Sequence, residues 1–214
     1  MSLLPLSQLT PYINDIRLIV SDVDGTLTRH EHFTPALLTA IAQLKACNIP
    51  VLLATGRSAG WADALRYYLP VAGAIAENGG LFWSNAPTHA EASYQLLSPI
   101  SDAITHRQAL AEAFAKLRQQ YPNLREATDN AFRVTDWTFS VQGLSAEELA
   151  AIASQCAAWG WGFTYSNVQC HIGPLGQNKA HGIWQAIQQD FPHLQPHQVL
   201  TIGDSPNDVA MLNP

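Results

Sequence analysis

Asp22-Val23-Asp24-Gly25-Thr26 comes one residue after the apolar run Leu18-Ile19-Val20. A short β-branched run closed by polar residues and glycine reads as a buried strand ending in a turn. Two carboxylates one residue apart concentrate negative charge there. A hard cation such as Mg2+ makes that concentration tolerable, because it favours carboxylate oxygens. Taken alone, Asp-x-Asp-Gly is more often a plain turn. Three further segments decide against that. Val51-Leu52-Leu53-Ala54 runs into Thr55-Gly56-Arg57, whose hydroxyl, backbone N–H groups and guanidinium suit a phosphate. Lys179 stands just before a helical stretch at 180–189. Val199-Leu200-Thr201-Ile202 runs into Gly203-Asp204-Ser205-Pro206-Asn207-Asp208, which adds two carboxylates four residues apart. Open α/β sheets place ligands at the carboxyl ends of their strands, so these segments converge on one edge.

The intervening sequence says what positions them. Residues 27–33 are short and polar, as in a small hairpin or flap. Thr34 is an N-cap residue followed by Pro35, and Leu37, Leu38, Ile41 and Leu44 recur at helical spacing until Asn48-Ile49-Pro50. One helix therefore joins the first two segments. Between Thr55 and Lys179 there is far more chain than a crossover needs, and the excess lies after Gly80. The expected division is a core of 1–80 and 173–214 interrupted by an insertion of 81–172. Within the insertion, 101–120 reads as a helix, 132–141 as a strand, Ser145 as the cap of another helix and 161–172 as a second strand. Strand, helix and strand with one apolar face predict a small sheet covered by helices.

In order, Asp22-Val23-Asp24-Gly25-Thr26, Ala54-Thr55-Gly56-Arg57, Lys179 and Gly203-Asp204-Ser205-Pro206-Asn207-Asp208 resemble the four motifs of the haloacid dehalogenase superfamily of phosphohydrolases. Glu77-Asn78-Gly79-Gly80 resembles the third-strand ending of members with a type IIB cap. The resemblance implies a doubly wound parallel-sheet α/β core with a small α+β cap, a small-molecule phosphate ester as substrate, and Mg2+ as cofactor. It makes Asp22 the nucleophile and Asp24 the general acid and base. Asp22, Asp24 (through its main-chain carbonyl), Asp204 and Asp208 become the metal ligands. Thr55 and Lys179 would neutralise phosphoryl oxygens, and Arg57, Asn78 and Asn207 would orient the phosphate, the lysine or the substrate. An acid at position 24 favours a phosphatase or mutase, since related transport ATPases carry threonine there. The substrate class implied is a sugar phosphate or phosphoglycolate. A sugar phosphomutase, and a non-catalytic phosphate-binding or regulatory protein, are the alternatives.

Composition narrows the field. The 214 residues carry a formal charge of −6 with only 11 Lys+Arg, which disfavours a nucleic-acid surface. Cys47, Cys156 and Cys170 are odd in number and unpaired in spacing, as expected in a reducing compartment. No run reaches membrane-spanning length, so the expectation is a cytoplasmic protein without a membrane partner; oligomeric state is left open. The chain stops at Met211-Leu212-Asn213-Pro214, soon after the fourth motif, so Val199–Ile202 is expected at a sheet edge, in either a fragment or a short member. Lys179-Ala180-His181-Gly182 places glycine later than the family usually does. Gly173–Lys179 is no Walker loop, because Asn178 and not glycine precedes the lysine. His30-Glu31-His32 reads as a solvated flap rather than a zinc pair. Trp137, Trp159 and Trp161 read as packing residues. Arg133 and Asp136, on the expected first cap strand, either face the substrate or form an exposed pair.

Overall fold

The computed structural model describes residues 12–86 and 94–212; expectations for 1–11, 87–93 and 213–214 lie outside the described residues. Leu18–Ser21 (β1), Val51–Ala54 (β2) and Gly73–Ala76 (β3) are buried almost throughout, as strands covered on both faces must be. β1 pairs in parallel with β2, and β2 with β3. Leu81–Ser84 (β4) and Gln95–Leu96 (β5) continue that sheet in antiparallel fashion. A second, three-stranded sheet contains Trp137–Ser140 (β6), Trp161–Tyr165 (β7) and Gln169–Pro174 (β8), in the order β6-β8-β7. Val199–Ile202 (β9) returns to the first sheet, parallel to β1, and completes the order β5-β4-β3-β2-β1-β9. β9 is at the edge, and its burial is correspondingly partial.

Alternate side chains of the strands feed two different cores. Leu18, Val20, Leu52, Ala54 and Ile75 pack with Ile183, Ala186 and Ile187 of helix Lys179–Asp190. Val51, Leu53, Ala74 and Ala76 pack on the other face with Ile41, Ala59 and Ala62. Those last three belong to helices Pro35–Ala46 and Ala59–Tyr68. This is the doubly wound, parallel-dominated α/β sheet that the sequence predicts. The Pro35 helix starts as expected, with Thr34 Oγ1 accepting the Leu37 N–H at 3.2 Å.

The smaller sheet has its own core. Leu110, Phe114 and Leu117 of helix Ala103–Gln120 meet Phe139, Cys170 and Ile172 of the strands and Ile152 and Cys156 of helix Ala146–Ala158. Truncating Phe139 there would cost about 3–5 kcal/mol through a cavity. Ser145 and Glu148 form the expected reciprocal cap. Trp137, Trp159 and Trp161 pack against this core. No helix among the described residues is long and apolar enough to cross a membrane.

Three expectations change. Residues 81–84 and 95–96, placed in the insertion, pair with the larger sheet, because the Glu77–Gly80 turn reverses the chain directly beside β3. The stretch 161–172 is a hairpin of two strands, since Ser166 closes a turn onto Gln169. The stretch 132–141 is a strand only from Trp137; Thr128–Phe132 forms a 3-10 turn instead.

Candidate active site

β1, β2, β3 and β9 run in the same direction, so the residues that follow them gather at one end of the sheet. Asp22 follows β1, is 5% exposed, and its N–H donates to the Ile202 carbonyl at 2.9 Å. Lys179 is buried at the first position of its helix, which Asn178 caps by accepting the His181 N–H. The Lys179 ammonium donates to Asp22 Oδ1 and Asp208 Oδ1, at 2.6 Å each. Asp208 Oδ2 accepts the N–H groups of Asp204 and Ser205 at 3.1 and 2.9 Å. Asp22, Asp204 and Asp208 each offer a carboxylate oxygen within 4.8 Å of the others. Gly25 permits this approach: its φ is +88°, and a Cβ there would collide with the Asp204 carboxylate. Burial holds Asp22 above the ordinary carboxylate value; Lys179 opposes that and Asp208 reinforces it. One ammonium against three carboxylates leaves a surplus of hard oxygen donors, a set that fits a divalent cation.

Asp24 is arranged differently. Its carboxylate receives Arg57 Nε and Nη2 at 2.9 and 2.7 Å, with both side chains about 40% exposed. The guanidinium lies 4.6 Å from the centroid of Trp61. The Asp24 side chain is outside the three-carboxylate group. Thr55 is buried, and its Oγ1 accepts the Arg57 N–H at 3.1 Å. Asn78, at φ +54° in the turn after β3, joins the fourth motif through Asn207 Nδ2 and its own Oδ1 at 2.8 Å. Asn78 Nδ2 and Asn207 Oδ1 are buried without partners, an unsatisfied donor and acceptor beside the carboxylates.

A cleft of about 530 Å3 opens over this end of the sheet. Asp22, Asp24, Arg57 and Asp204 line it from the larger sheet, and Asp129, Gln169 and His171 from the smaller unit. Asn167 spans the two, donating to Ser205 Oγ at 3.2 Å. The polar flap is a hairpin closed by the Arg29–His32 bridge, and its tip residues His30 and Glu31 also line the cleft.

Behind the cleft lies a network that the sequence did not reveal. Glu77, fully buried, accepts the N–H groups of Ala59, Val134 and Thr135 and the Thr135 hydroxyl. Burial and the nearby Asp136 push Glu77 up to about 7, against the pull of Arg133 and the N–H donors. Arg133 donates to the Gly56 carbonyl at 3.0 Å, to Asp136 at 2.9 Å and to Asp129 at 2.8 Å. Burial works against the Arg133 charge, but Asp136 and Asp129 outweigh it. Burial likewise opposes the Asp136 charge, yet Arg133 and His171 hold it below the ordinary value. Arg107 donates to the Asp136 carbonyl. Neither reading of Arg133 and Asp136 survives: both precede β6 and are buried, each supplying the partner that the other needs. The available signal was the spacing of Asp129, Arg133 and Asp136, which suits an ion-paired turn. For His171 it was a lone polar residue between Cys170 and Ile172.

Comparisons with known proteins agree with this geometry. The profile of haloacid dehalogenase-like hydrolases matches residues 19–108. A phosphoglycolate phosphatase of Halorubrum lacusprofundi is 30% identical over 193 residues, covering 88% of this chain and 77% of its own length. One from Methanococcoides burtonii is 26% identical over 198 residues, covering 92% of this chain and 79% of its own length. Among solved structures, Thermoplasma acidophilum 0175 superposes with a TM-score of 0.76 at 22% identity, over 93% of this chain and 81% of that one. The sucrose-phosphatase of Synechocystis sp., solved with sucrose and phosphate, gives 0.63 at 17% identity, over 91% and 78%.

Proposed function

The chain belongs to the haloacid dehalogenase-like hydrolases and is a phosphatase, and from that premise we propose a Mg2+-dependent phosphomonoester hydrolase that works through an aspartyl-phosphate. Its substrate is a small phosphorylated metabolite of the sugar phosphate or phosphoglycolate class. The observation that carries the reading is Asp22, held by Lys179 at the end of β1 within the three-carboxylate group.

Asp22 attacks phosphorus in line, forming a new P–O bond as the bond to the alcohol oxygen breaks. Asp24 gives its proton to the departing alkoxide and later takes one from the attacking water, which releases phosphate and restores Asp22. Arg57 orients Asp24 for both transfers. Thr55 and Lys179 meet the phosphoryl oxygens, where fixed charge and dipoles act most strongly. Asn78 and Asn207 hold the lysine end and the substrate in register. Asp22, Asp204 and Asp208, with the Asp24 carbonyl, would hold the Mg2+, which when bound supplies positive charge to the phosphoryl group. The smaller sheet and its helices act as a cap. The three free cysteines support a reducing, cytoplasmic setting.

Asp22→Asn tests this directly. The expected outcome is a turnover loss of at least about 10^3-fold with the native fold retained by circular dichroism. Beryllium fluoride should bind the wild type and not the variant. Full activity in Asp22→Asn ends the covalent mechanism. Chelation by EDTA should abolish turnover and Mg2+ restore it while raising Tm, as mass action on the native state requires.

A further inference from the structure

One turn of the smaller unit reaches the carboxylate end of the larger sheet. Ser166, Asn167 and Val168 connect β7 to β8, and Ser166 Oγ braces that tip by accepting the N–H groups of Val168 and Gln169 at 3.2 Å each. Asn167 lines the cleft together with Asp204 and Ser205. Its Nδ2 donates to Ser205 Oγ at 3.2 Å. Ser205 Oγ in turn donates to Asp204 Oδ1 at 3.3 Å, and Thr26 Oγ1 donates to the same oxygen at 3.3 Å. Asp204 Oδ2 receives no hydrogen bond among the described residues, and it is the atom that a Cβ on Gly25 would strike first. One oxygen of this carboxylate is therefore held by hydroxyls, while the other is left beside the turn that follows Asp22.

Donor counts give the relay its direction. A carboxylate only accepts, so the one hydroxyl proton of Ser205 points to Asp204. The Asn167 contact then has to come from the amide NH2, with Ser205 Oγ accepting. A hydroxyl that accepts on one side donates more strongly on the other. Groups that orient a ligating carboxylate tune the affinity for the metal that it holds. The backbone around Ser205 does not depend on Asn167, because Asp208 Oδ2 already takes the N–H groups of Asp204 and Ser205. What Asn167 adds is control of a side-chain hydroxyl.

We propose that Asn167 is a positioning residue of the cap: acting through Ser205, it fixes the Asp204 carboxylate, so that docking of the hairpin tip and binding of a divalent cation favour each other. The proposal rests on the metal-dependent reading of the core site. It goes beyond a cap that encloses a substrate, because here the cap acts on a ligand of the metal. Such coupling is reciprocal: whatever the docked tip does for the cation, the cation does for the tip.

Mg2+ alone, titrated calorimetrically into the wild type, Asn167→Ala, Ser205→Ala and the double variant, tests this without turnover. Asn167→Ala should weaken Mg2+ binding about threefold or more, the scale of one lost hydrogen bond. Ser205→Ala should cost at least as much, and the double variant no more than Ser205→Ala alone, since the first effect travels through the second residue. Ser205→Thr keeps the hydroxyl and should stay within about twofold of the wild type. Amide hydrogen exchange at 166–168 should slow when Mg2+ is added to the wild type and not when it is added to Ser205→Ala. Unchanged affinity in Asn167→Ala, or an undiminished effect of that substitution in the Ser205→Ala background, overturns the proposal and leaves the metal site standing. If the wild type itself binds no Mg2+, the metal-dependent reading fails first and this inference falls with it.

Discussion

Two arginine–aspartate pairs flank the cleft at similar distances, 2.7 Å for Arg57–Asp24 and 2.9 Å for Arg133–Asp136. On the rim of the larger sheet, the first pair is 40% and 38% exposed. At the root of the cap, the second is 0% and 1% exposed. Equal geometry does not mean equal energetics. Water screens the rim pair and solvates either partner if the other leaves. At the root, losing one partner strands a charge that has no water. The exposed pair can therefore rearrange at little cost, which suits the proton transfers proposed for Asp24. The buried pair cannot, which suits a strut that fixes where Asp129 and His171 stand. The contrast holds for these two pairs only, since Asp22 and Lys179 are themselves buried.

The largest stability effect should come from Arg133→Met. It leaves Asp136 buried with one partner fewer and releases the Gly56 carbonyl, so the expected loss is about 3–5 kcal/mol by chemical denaturation. A loss below about 1 kcal/mol would mean that the root network is solvated after all, and the contrast with the rim pair would collapse.

Glu77 gives an intermediate effect with a definite sign. Its carboxyl is raised from 4.5 to about 7 in the folded protein. A raised acid contributes stability that is present below the unfolded value and lost as pH rises through the folded one. The span corresponds to roughly 3 kcal/mol, disappearing between about pH 4.5 and 7. His171, lowered by burial, acts in the opposite sense, and its contribution is lost as pH falls. Both proteins retain His171, so wild type minus Glu77→Gln isolates the carboxyl. Relative to wild type, Glu77→Gln should gain stability as pH rises across that window. A flat difference would show that the N–H donors around Glu77 already cancel its burial.

The two regions also differ in how far the sequence disclosed them. Asp22, Thr55, Lys179 and Asp208 sit where parallel strands or a helix begin or end, so short motifs reported both residue and location. Val199–Ile202 lies at the edge of the sheet as expected, with β1 as its neighbour among the described strands. The cap root joins Glu77, Arg107 and His171, from separate segments, to the neighbouring Asp129, Arg133 and Asp136. Local spacing links only the last three, and burial of charge is a tertiary property. The alternation of Val134, Trp137 and Phe139 suggested a strand through Arg133 and Asp136. Their mutual pairing, and the hold of Glu77 on the Val134 and Thr135 N–H groups, overrode that pattern. The hairpin at 161–174 was hidden for a simpler reason: Ser166 and Asn167 are polar, but no glycine or proline marks the turn.

The smallest stability effect should belong to Arg57→Lys, and it sharpens the comparison most. Lysine keeps the positive charge but loses the two-pronged grip on Asp24 and much of the stacking on Trp61. Because the pair is near 40% exposed, the expected change in unfolding free energy is within about 1 kcal/mol. Turnover should respond more strongly, since a single ammonium leaves Asp24 free to swing away from the departing alkoxide. We expect kcat to fall by about 10-fold or more with Tm nearly unchanged, as for a group that orients a proton donor. Reverting the substitution in the same preparation series should restore the bidentate grip and kcat together. If Arg57→Lys instead destabilises the fold as much as Arg133→Met, the rim pair is a strut as well. If kcat is untouched, Arg57 does not position Asp24, and the exposed pair has no part in the proton transfers.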